Sequence, residues 1–132
     1  HRGMSTARSA LIHDEVYAEI IGDGVHVSDD ALKLFFKAKP EDKVILISDA
    51  LPITYSDMKE TVFADSKIYY DGDKATSDDG TIAGSTKLLP EIIKILGKKG
   101  MFKPRFIENT YRYHGLEPMG EIEWDEDFNP RF

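Results

Sequence analysis

The chain has 132 residues, a formal net charge of −7 and no cysteine, which excludes disulfide bonds and thiolate metal ligands. Acidic residues number 24 against 17 basic ones, and no basic stripe with interleaved aromatics is present, so nucleic acid is not an expected partner. The apolar runs are too short to cross a bilayer, so we expect no membrane partner and a cytoplasmic α/β protein.

A strand, a helix and a second strand are predicted over the first 50 residues. Residues 16–21 are rich in β-branched and aromatic side chains, and the strand they predict ends at a Gly-Asp-Gly turn. Ser28 is the expected N-cap of a helix that Pro40 ends. The continuous apolar run 44–47 is typical of a buried parallel strand. Together these elements predict a βαβ unit.

The middle of the chain has a different character. Short strands are predicted at 61–64 and 67–70, with turns at 71–73 and 77–80, so this stretch is interpreted as a small antiparallel insert or side domain. A helix is expected from Lys87 to Leu96 with Gly97 as its stop, and a last helix from Pro104 to Gly115.

These elements divide the chain into four expected segments. Residues 1–52 hold the βαβ unit and residues 53–80 the antiparallel strands. Residues 81–116 hold a turn followed by helices, and residues 117–132 form an acidic tail in which we expect the acids from Glu117 to Asp127 to be solvated.

His26 and Asp49 are the first candidate site residues, because each follows one of the two predicted parallel strands. The carboxyl ends of parallel strands meet at one edge of a sheet, where catalytic groups collect. Each residue also has a purely local interpretation, His26 in a glycine turn and Asp49 as a cap or turn residue. Their occurrence one βα unit apart favours an active-site rim.

A metal site made by this chain alone is not expected. His1, His13 and His114 have no partners at metal-ligand spacing, and neither His-x-His nor His-Glu-x-x-His occurs. The stretch 81–86, just before a predicted helix, could instead offer backbone N–H groups and hydroxyls to an oxygen-rich ligand. A capped helix start explains the same stretch.

Four stretches carry a more specific signal: Arg2, residues 17–27 (YAEIIGDGVHV), residues 47–50 (ISDA) and residues 80–85 (GTIAGS). In this order and at these intervals they resemble the carboxyl-terminal part of the N-acetylglucosamine-6-phosphate deacetylases, which are metal-dependent amidohydrolases. The resemblance extends from the first residues to about Leu96 and is loose from Phe102 onward.

The resemblance implies a (β/α)8 barrel with a small β-domain, of which this chain would hold the carboxyl-terminal part. Such barrels need at least ~200 residues, so 132 residues would supply roughly strands six to eight. The family's metal ligands, a Glu and two His on earlier strands, have no counterpart here. A divalent metal, with zinc as the expected ion, would therefore serve a longer enzyme, and this chain alone would be inactive.

The family's site residues are carried over position by position. Asp49 would take a proton from the metal-bound water and deliver it to the leaving amine. His26 would contact the substrate near the scissile acetamido group. Arg2 would reach the sugar phosphate across the interface of a homodimer, although Gly3-Met4-Ser5 depart from the family pattern after it. The remaining expected substrate contacts are Ile82, Ala83 and Gly84.

The function expected from the resemblance is hydrolysis of the acetamide of N-acetylglucosamine 6-phosphate. A second interpretation is an amidohydrolase that acts on a different amide or on a cyclic imide. A third is a non-catalytic binding or interaction module, which the acidic tail and the missing metal ligands favour and the Asp49 strand end opposes.

Overall fold

The first half of the protein is a βαβ unit preceded by a short helix. The computed structural model describes residues 5–131, so Arg2 lies outside the described residues. Helix α1 (Thr6–Ile12) leads into strand β1 (Ala18–Ile21), helix α2 (Asp29–Ala38) and strand β2 (Val44–Ile47). The two strands are parallel, with Ala18 opposite Val44 and Ile21 opposite Ile47. This arrangement confirms the predicted βαβ unit.

The ends of these helices are defined by side chains that pair with free backbone groups. The Ser28 hydroxyl accepts a hydrogen bond from the Ala31 N–H, which confirms the predicted N-cap. Helix α1 was not predicted, and a distant residue stabilises its carboxyl end. Buried Lys39 donates from Nζ to the carbonyl oxygens of Ala10 and His13, both at 2.7 Å. A cation at a helix carboxyl end also interacts favourably with the helix dipole.

The middle segment is a four-stranded antiparallel sheet in the order β3-β4-β5-β6. This sheet confirms the predicted antiparallel stretch. Its last strand, however, lies beyond residue 80, where the sequence places a segment boundary. Between the second and third strands, Asp71 Oδ1 accepts the N–H groups of Asp73 and Lys74 at 2.9 Å, which closes the predicted turn. The strands are β3 (Glu60–Phe63), β4 (Ser66–Tyr70), β5 (Ala75–Ser77) and β6 (Ile82–Gly84).

Helix α3 (Leu89–Lys98) continues past the glycine that was expected to stop it. Gly97 is helical, and the helix ends at Gly100, whose φ of 66° is the left-handed conformation that glycine adopts without strain. The Met101 N–H donates to the Leu96 carbonyl at 2.8 Å and the Gly100 N–H to the Gly97 carbonyl at 2.9 Å. This pair of bonds is a Schellman motif.

Helix α4 (Arg105–Tyr113) packs against the start of β2. Its Asn109 is buried, and the side-chain amide donates to the carbonyl oxygens of Glu41 and Val44 at 2.9 and 2.7 Å. The helix ends at Gly115 in a second Schellman motif, as predicted, with the Leu116 N–H bonded to the Tyr111 carbonyl at 2.9 Å.

The acids of the tail are exposed to solvent as expected, except for half-buried Asp125, but the aromatic residues between them are packed. Strands β7 (Glu123–Trp124) and β8 (Pro130–Arg131) form a hairpin, and Trp124 and Phe128 pack on the main core. Lys94 of α3 donates from Nζ to Asn129 Oδ1 at 2.6 Å. The acidic pattern predicted the exposed side chains, whereas the packing of the hairpin depends on the two aromatic residues.

Two glycines let other elements approach α3 closely. A Cβ at Gly22, just after β1, would lie 2.6 Å from Leu96 Cδ1, and a Cβ at Gly97 would lie 2.5 Å from the Phe128 ring. Both distances are shorter than real carbon contacts. The end of β1 therefore rests directly on α3, in the core formed by Leu32, Val44, Leu46, Ile92, Ile93, Leu96 and Phe106. Among the described helices, none is both long and apolar enough to span a membrane.

We predict that Gly97→Ala destabilises the protein. Alanine is favoured over glycine by about 1 kcal/mol inside a helix, so a loss of stability must come from the collision with the Phe128 ring. We expect a net loss of about 1–3 kcal/mol in urea denaturation. In a Phe128→Ala background the same substitution is expected to be neutral or stabilising. Equal effects in both backgrounds would show that the hairpin does not pack on α3.

Candidate active site

Asp23 lies in the turn after β1, at the end of the parallel strands. It is the most buried carboxylate there, with 4% of its surface exposed. Its Oδ1 accepts the backbone N–H groups of Val25 and His26 at 2.9 and 3.0 Å. Its Oδ2 lies 2.8 Å from His26 Nδ1 and accepts the Ser85 hydroxyl at 2.9 Å. The turn after β1 is thus folded around one buried carboxylate.

The charge of Asp23 is stabilised by these contacts. Burial raises the pKa of its carboxyl group, whereas the backbone N–H groups of His26 and Val25, the His26 ring and the Ser85 hydroxyl lower it. The hydrogen bonds outweigh burial, so the pKa of Asp23 lies below its ordinary value. Asp23 is therefore an anion at neutral pH.

Ser85 joins three parts of the chain at this edge. Its hydroxyl binds Asp23 in the turn after β1, and its N–H donates to the Asp49 carbonyl at 2.9 Å. Its own carbonyl accepts the Leu51 N–H, also at 2.9 Å, so that residues 49–51 run parallel to the segment after β6. The turn that holds His26, the segment that holds Asp49 and the end of β6 consequently meet at one residue.

Asp49 is exposed and has an uncommon backbone conformation. Its φ is 51°, in the left-handed region that non-glycine residues seldom occupy, although aspartate tolerates it better than most. Such conformations persist only where neighbouring structure enforces them, and they cluster at functional sites. The backbone bonds of residues 49 and 51 to Ser85 supply that enforcement here.

The three residues expected to contact substrate form strand β6. Ile82 is exposed, Ala83 is half-buried and Gly84 is buried. A Cβ at Gly84 would lie 2.9 Å from Leu51 Cγ and 3.2 Å from the Asp49 carbonyl oxygen. Only glycine lets this strand come so close to the segment that carries Asp49. The structure thus brings β6, Asp49 and His26 to the same edge, and Arg2 lies outside the described residues.

Comparison with known proteins identifies relatives over part of the chain. It is 38% identical over 87 residues to the N-acetylglucosamine-6-phosphate deacetylase of Bacillus subtilis (strain 168), a match that covers 64% of this chain and 22% of that protein. It is 31% identical over 93 residues to the N-acetylgalactosamine-6-phosphate deacetylase of Shewanella sp. (strain ANA-3), covering 64% and 24% respectively. No family model matches.

Solved structures extend the likeness to nearly the whole chain. The N-acetylglucosamine-6-phosphate deacetylase of Thermotoga maritima matches 98% of this chain with a TM-score of 0.84 and 25% identity, over 40% of its own length. The chain is similar to the carboxyl-terminal part of the N-acetylglucosamine-6-phosphate deacetylases. The Pasteurella multocida deacetylase shares the fold, with a TM-score of 0.77 over 98% of this chain and 38% of its own, at 24% identity.

These deacetylases confirm the resemblance and the predicted fold class, an α/β segment of a barrel enzyme with an antiparallel side sheet. The chain spans 22–24% of the length of the curated deacetylases it matches. Within residues 5–131 no group of three or more His, Asp or Glu side chains is placed to hold a metal ion. Asp23 in particular already receives four hydrogen bonds.

Sequence reasoning about the deacetylase-like segment missed two residues of the site, Asp23 and Ser85. Asp23 was treated as part of a glycine turn, although an Asp three residues before a His can bind both its backbone N–H and its ring. Its position between two glycines at the end of a strand could have indicated that Asp23 belongs to the site. Ser85 lies 62 residues away from Asp23, and no local pattern shows that they meet.

We predict that Asp23 contributes to the pH dependence of folding. Because its folded pKa is depressed, its stabilising contribution is present above the ordinary value of 3.8 and lost as pH falls through the folded pKa. In Asp23→Asn, stability should be lower by about 1–3 kcal/mol at pH 7 and should fall less steeply in acid. Thermal unfolding between pH 7 and pH 2 measures both effects.

The matched control is Asp14→Asn, because Asp14 is exposed in the turn after α1. The stability of this variant should fall with decreasing pH as steeply as that of the original chain. Part of the slope should persist in Asp23→Asn as well, since hydrogen bonds from backbone and side-chain donors also lower the pKa values of Asp71, Asp79 and Asp125. An Asp23→Asn profile parallel to that of the original chain would contradict the assignment.

Proposed function

We propose that this chain forms part of an enzyme that hydrolyses the acetamide of N-acetylglucosamine 6-phosphate, giving glucosamine 6-phosphate and acetate in amino-sugar catabolism. The observation that carries the proposal is the meeting of three segments at Ser85. Those segments hold His26, Asp49 and strand β6, the residues to which the resemblance gives roles in catalysis and substrate binding. The structural similarity to the Thermotoga maritima deacetylase covers 98% of this chain.

Asp49 is proposed as the group that transfers the proton. Its carboxylate would accept a proton from the attacking water as the carbon–oxygen bond forms. The same carboxyl group would then give that proton to the amine nitrogen as the carbon–nitrogen bond breaks. Its exposure at the strand end suits a group that must reach both atoms, and the backbone bonds of residues 49 and 51 to Ser85 hold it in place.

The neighbouring residues are proposed to hold the substrate. His26 would contact the acetamido group, where charge develops on the carbonyl oxygen. Ile82, Ala83 and Gly84 would line the sugar, since β6 packs directly against the Asp49 segment. Arg2 is proposed to bind the phosphate, for which a planar guanidinium is well suited. In the family that the sequence resembles, the matching Arg acts across a homodimer interface. We therefore propose a homodimer for the complete enzyme.

The residues of this chain do not fit a metal site by themselves, since no suitable group of ligands exists among residues 5–131. We propose that the complete enzyme uses a divalent metal, zinc by preference, with ligands supplied from outside these residues. A phosphorylated sugar does not cross a membrane unaided, so we also propose that the enzyme meets its substrate in the cytoplasm.

The sugar epimer is a second candidate substrate. The relative from Shewanella is named for N-acetylgalactosamine 6-phosphate, and its 31% identity covers the same share of this chain, 64%, as the Bacillus match. The two substrates differ only in the configuration of one hydroxyl group. The acetamido group and the phosphate are common to both, so the proposed roles of Asp49 and His26 would not change.

A chimaera tests the proposal. In the Bacillus subtilis deacetylase, the matched segment is replaced by the corresponding residues of this chain, and acetate release is measured with both epimers and with an unphosphorylated N-acetyl sugar. We expect turnover of a phosphorylated epimer. We expect Asp49→Asn in the chimaera to lower kcat by about 10²- to 10⁴-fold, because it removes the proton-transfer group while leaving substrate contacts in place.

The control substitution is Asp42→Asn, which removes an exposed carboxylate in the turn before β2, its side chain 56% exposed. This chimaera should keep its kcat. Full turnover by the Asp49→Asn chimaera would refute the role of Asp49. A folded chimaera that turns over none of the three sugars would instead favour the interpretation of this chain as a non-catalytic binding module.

A further inference from the structure

We propose that Asp23 is a positioning residue that holds the proton of His26 on Nδ1, so that the neutral ring presents Nε2 to a ligand as a hydrogen-bond acceptor. The deacetylase resemblance gives Asp23 no role. The assignment rests on the contacts that surround this one carboxylate.

The first step is that Asp23 can only accept hydrogen bonds. Three of its partners are unambiguous donors, namely the N–H groups of Val25 and His26 and the hydroxyl of Ser85. These donors keep the carboxyl group ionised, and an ionised carboxylate has no proton to give. Every group that bonds to it must therefore donate.

The second step fixes the tautomer of His26. Its Nδ1 lies 2.8 Å from Asp23 Oδ2, a hydrogen-bond distance between two atoms of which only the nitrogen can carry the proton. A neutral imidazole carries one proton, so Nε2 of the same ring has a lone pair. The side chain is only 18% exposed, and the bond to a carboxylate that is itself 2% exposed prevents it from turning freely.

The third step concerns the ligand, and it rests on the proposed function. With Nδ1 occupied, Nε2 is the ring nitrogen available to the substrate. A neutral His26 would accept a hydrogen bond, from the acetamido N–H or a sugar hydroxyl. It could donate to the carbonyl oxygen only with a second proton on Nε2. In the neutral ring, Asp23 thereby makes Nε2 the acceptor.

Ser85 couples this arrangement to the opposite side of the site. Its hydroxyl binds the same Oδ2 atom that faces His26, and its backbone N–H binds the Asp49 carbonyl. The orientation of the His26 ring and the position of the Asp49 segment therefore depend on one shared carboxylate. A substitution at Asp23 should therefore affect both the His26 ring and the Asp49 segment.

Nitrogen NMR of the chain tests the tautomer without any assay of activity. Uniformly ¹⁵N-labelled protein is recorded in long-range ¹H–¹⁵N spectra, at a pH above that at which the ring loses its charge, and His26→Asn assigns the signals. We expect a protonated Nδ1 and an unprotonated Nε2 for His26. His114 is exposed and no carboxylate contact is described for its ring, so it serves as the internal reference and should average over both tautomers.

Asp23→Ala should shift the His26 signals towards such an average, because alanine offers no acceptor to the proton on Nδ1. A protonated Nε2 in the neutral ring of the original chain would overturn the proposal, as would an unchanged Nδ1 proton in a folded Asp23→Ala variant. The measurement on the original chain is decisive even if the variant does not fold. Since no substrate is involved, its outcome is separate from that of the chimaera assay.

Discussion

The hydrogen bond from the Ser85 hydroxyl to the buried Asp23 carboxylate is the contact on which the candidate site depends. It connects the turn after β1 to the segment after β6, across 62 residues of chain. The same Ser85 forms backbone bonds to residues 49 and 51. The pairing of β1 with β2 brings the two loops to the same sheet edge, and no other described side-chain hydrogen bond joins the loop of His26 to that of Asp49.

Burial of a carboxylate is unfavourable unless its oxygens are fully bonded. Asp23 meets this condition with two donors at each oxygen atom. The surrounding glycines make the arrangement possible, because Gly22 lets the end of β1 rest on α3 and Gly84 lets β6 approach the Asp49 segment. Close backbone packing therefore buries the Asp23 carboxylate. Its hydrogen bonds in turn fix the turn after β1 and the segment after β6.

Local features of the sequence predicted much of this fold. The Ser28 cap, the apolar run of β2 and the turn at Asp71 depend on residues within a few positions of each other, and each is present. The contacts of Lys39 with α1 and of Phe128 with Gly97 were missed, because they join distant parts of the chain. The same distinction between local and long-range contacts applies to the candidate site. His26 and Asp49 were found at strand ends, whereas Ser85 is recognisable only once the strands are placed.

The central claim is that Asp23 and Ser85 act as one unit, and a double-mutant cycle tests it most directly. Free energies of unfolding are measured in urea at pH 7 for the original chain, Asp23→Asn, Ser85→Ala and the double variant. For a hydrogen bond to a buried charge we predict a coupling free energy of about 1–3 kcal/mol, so that the double variant is more stable than the sum of the single effects requires. Additive effects, within about 0.5 kcal/mol, would contradict the account.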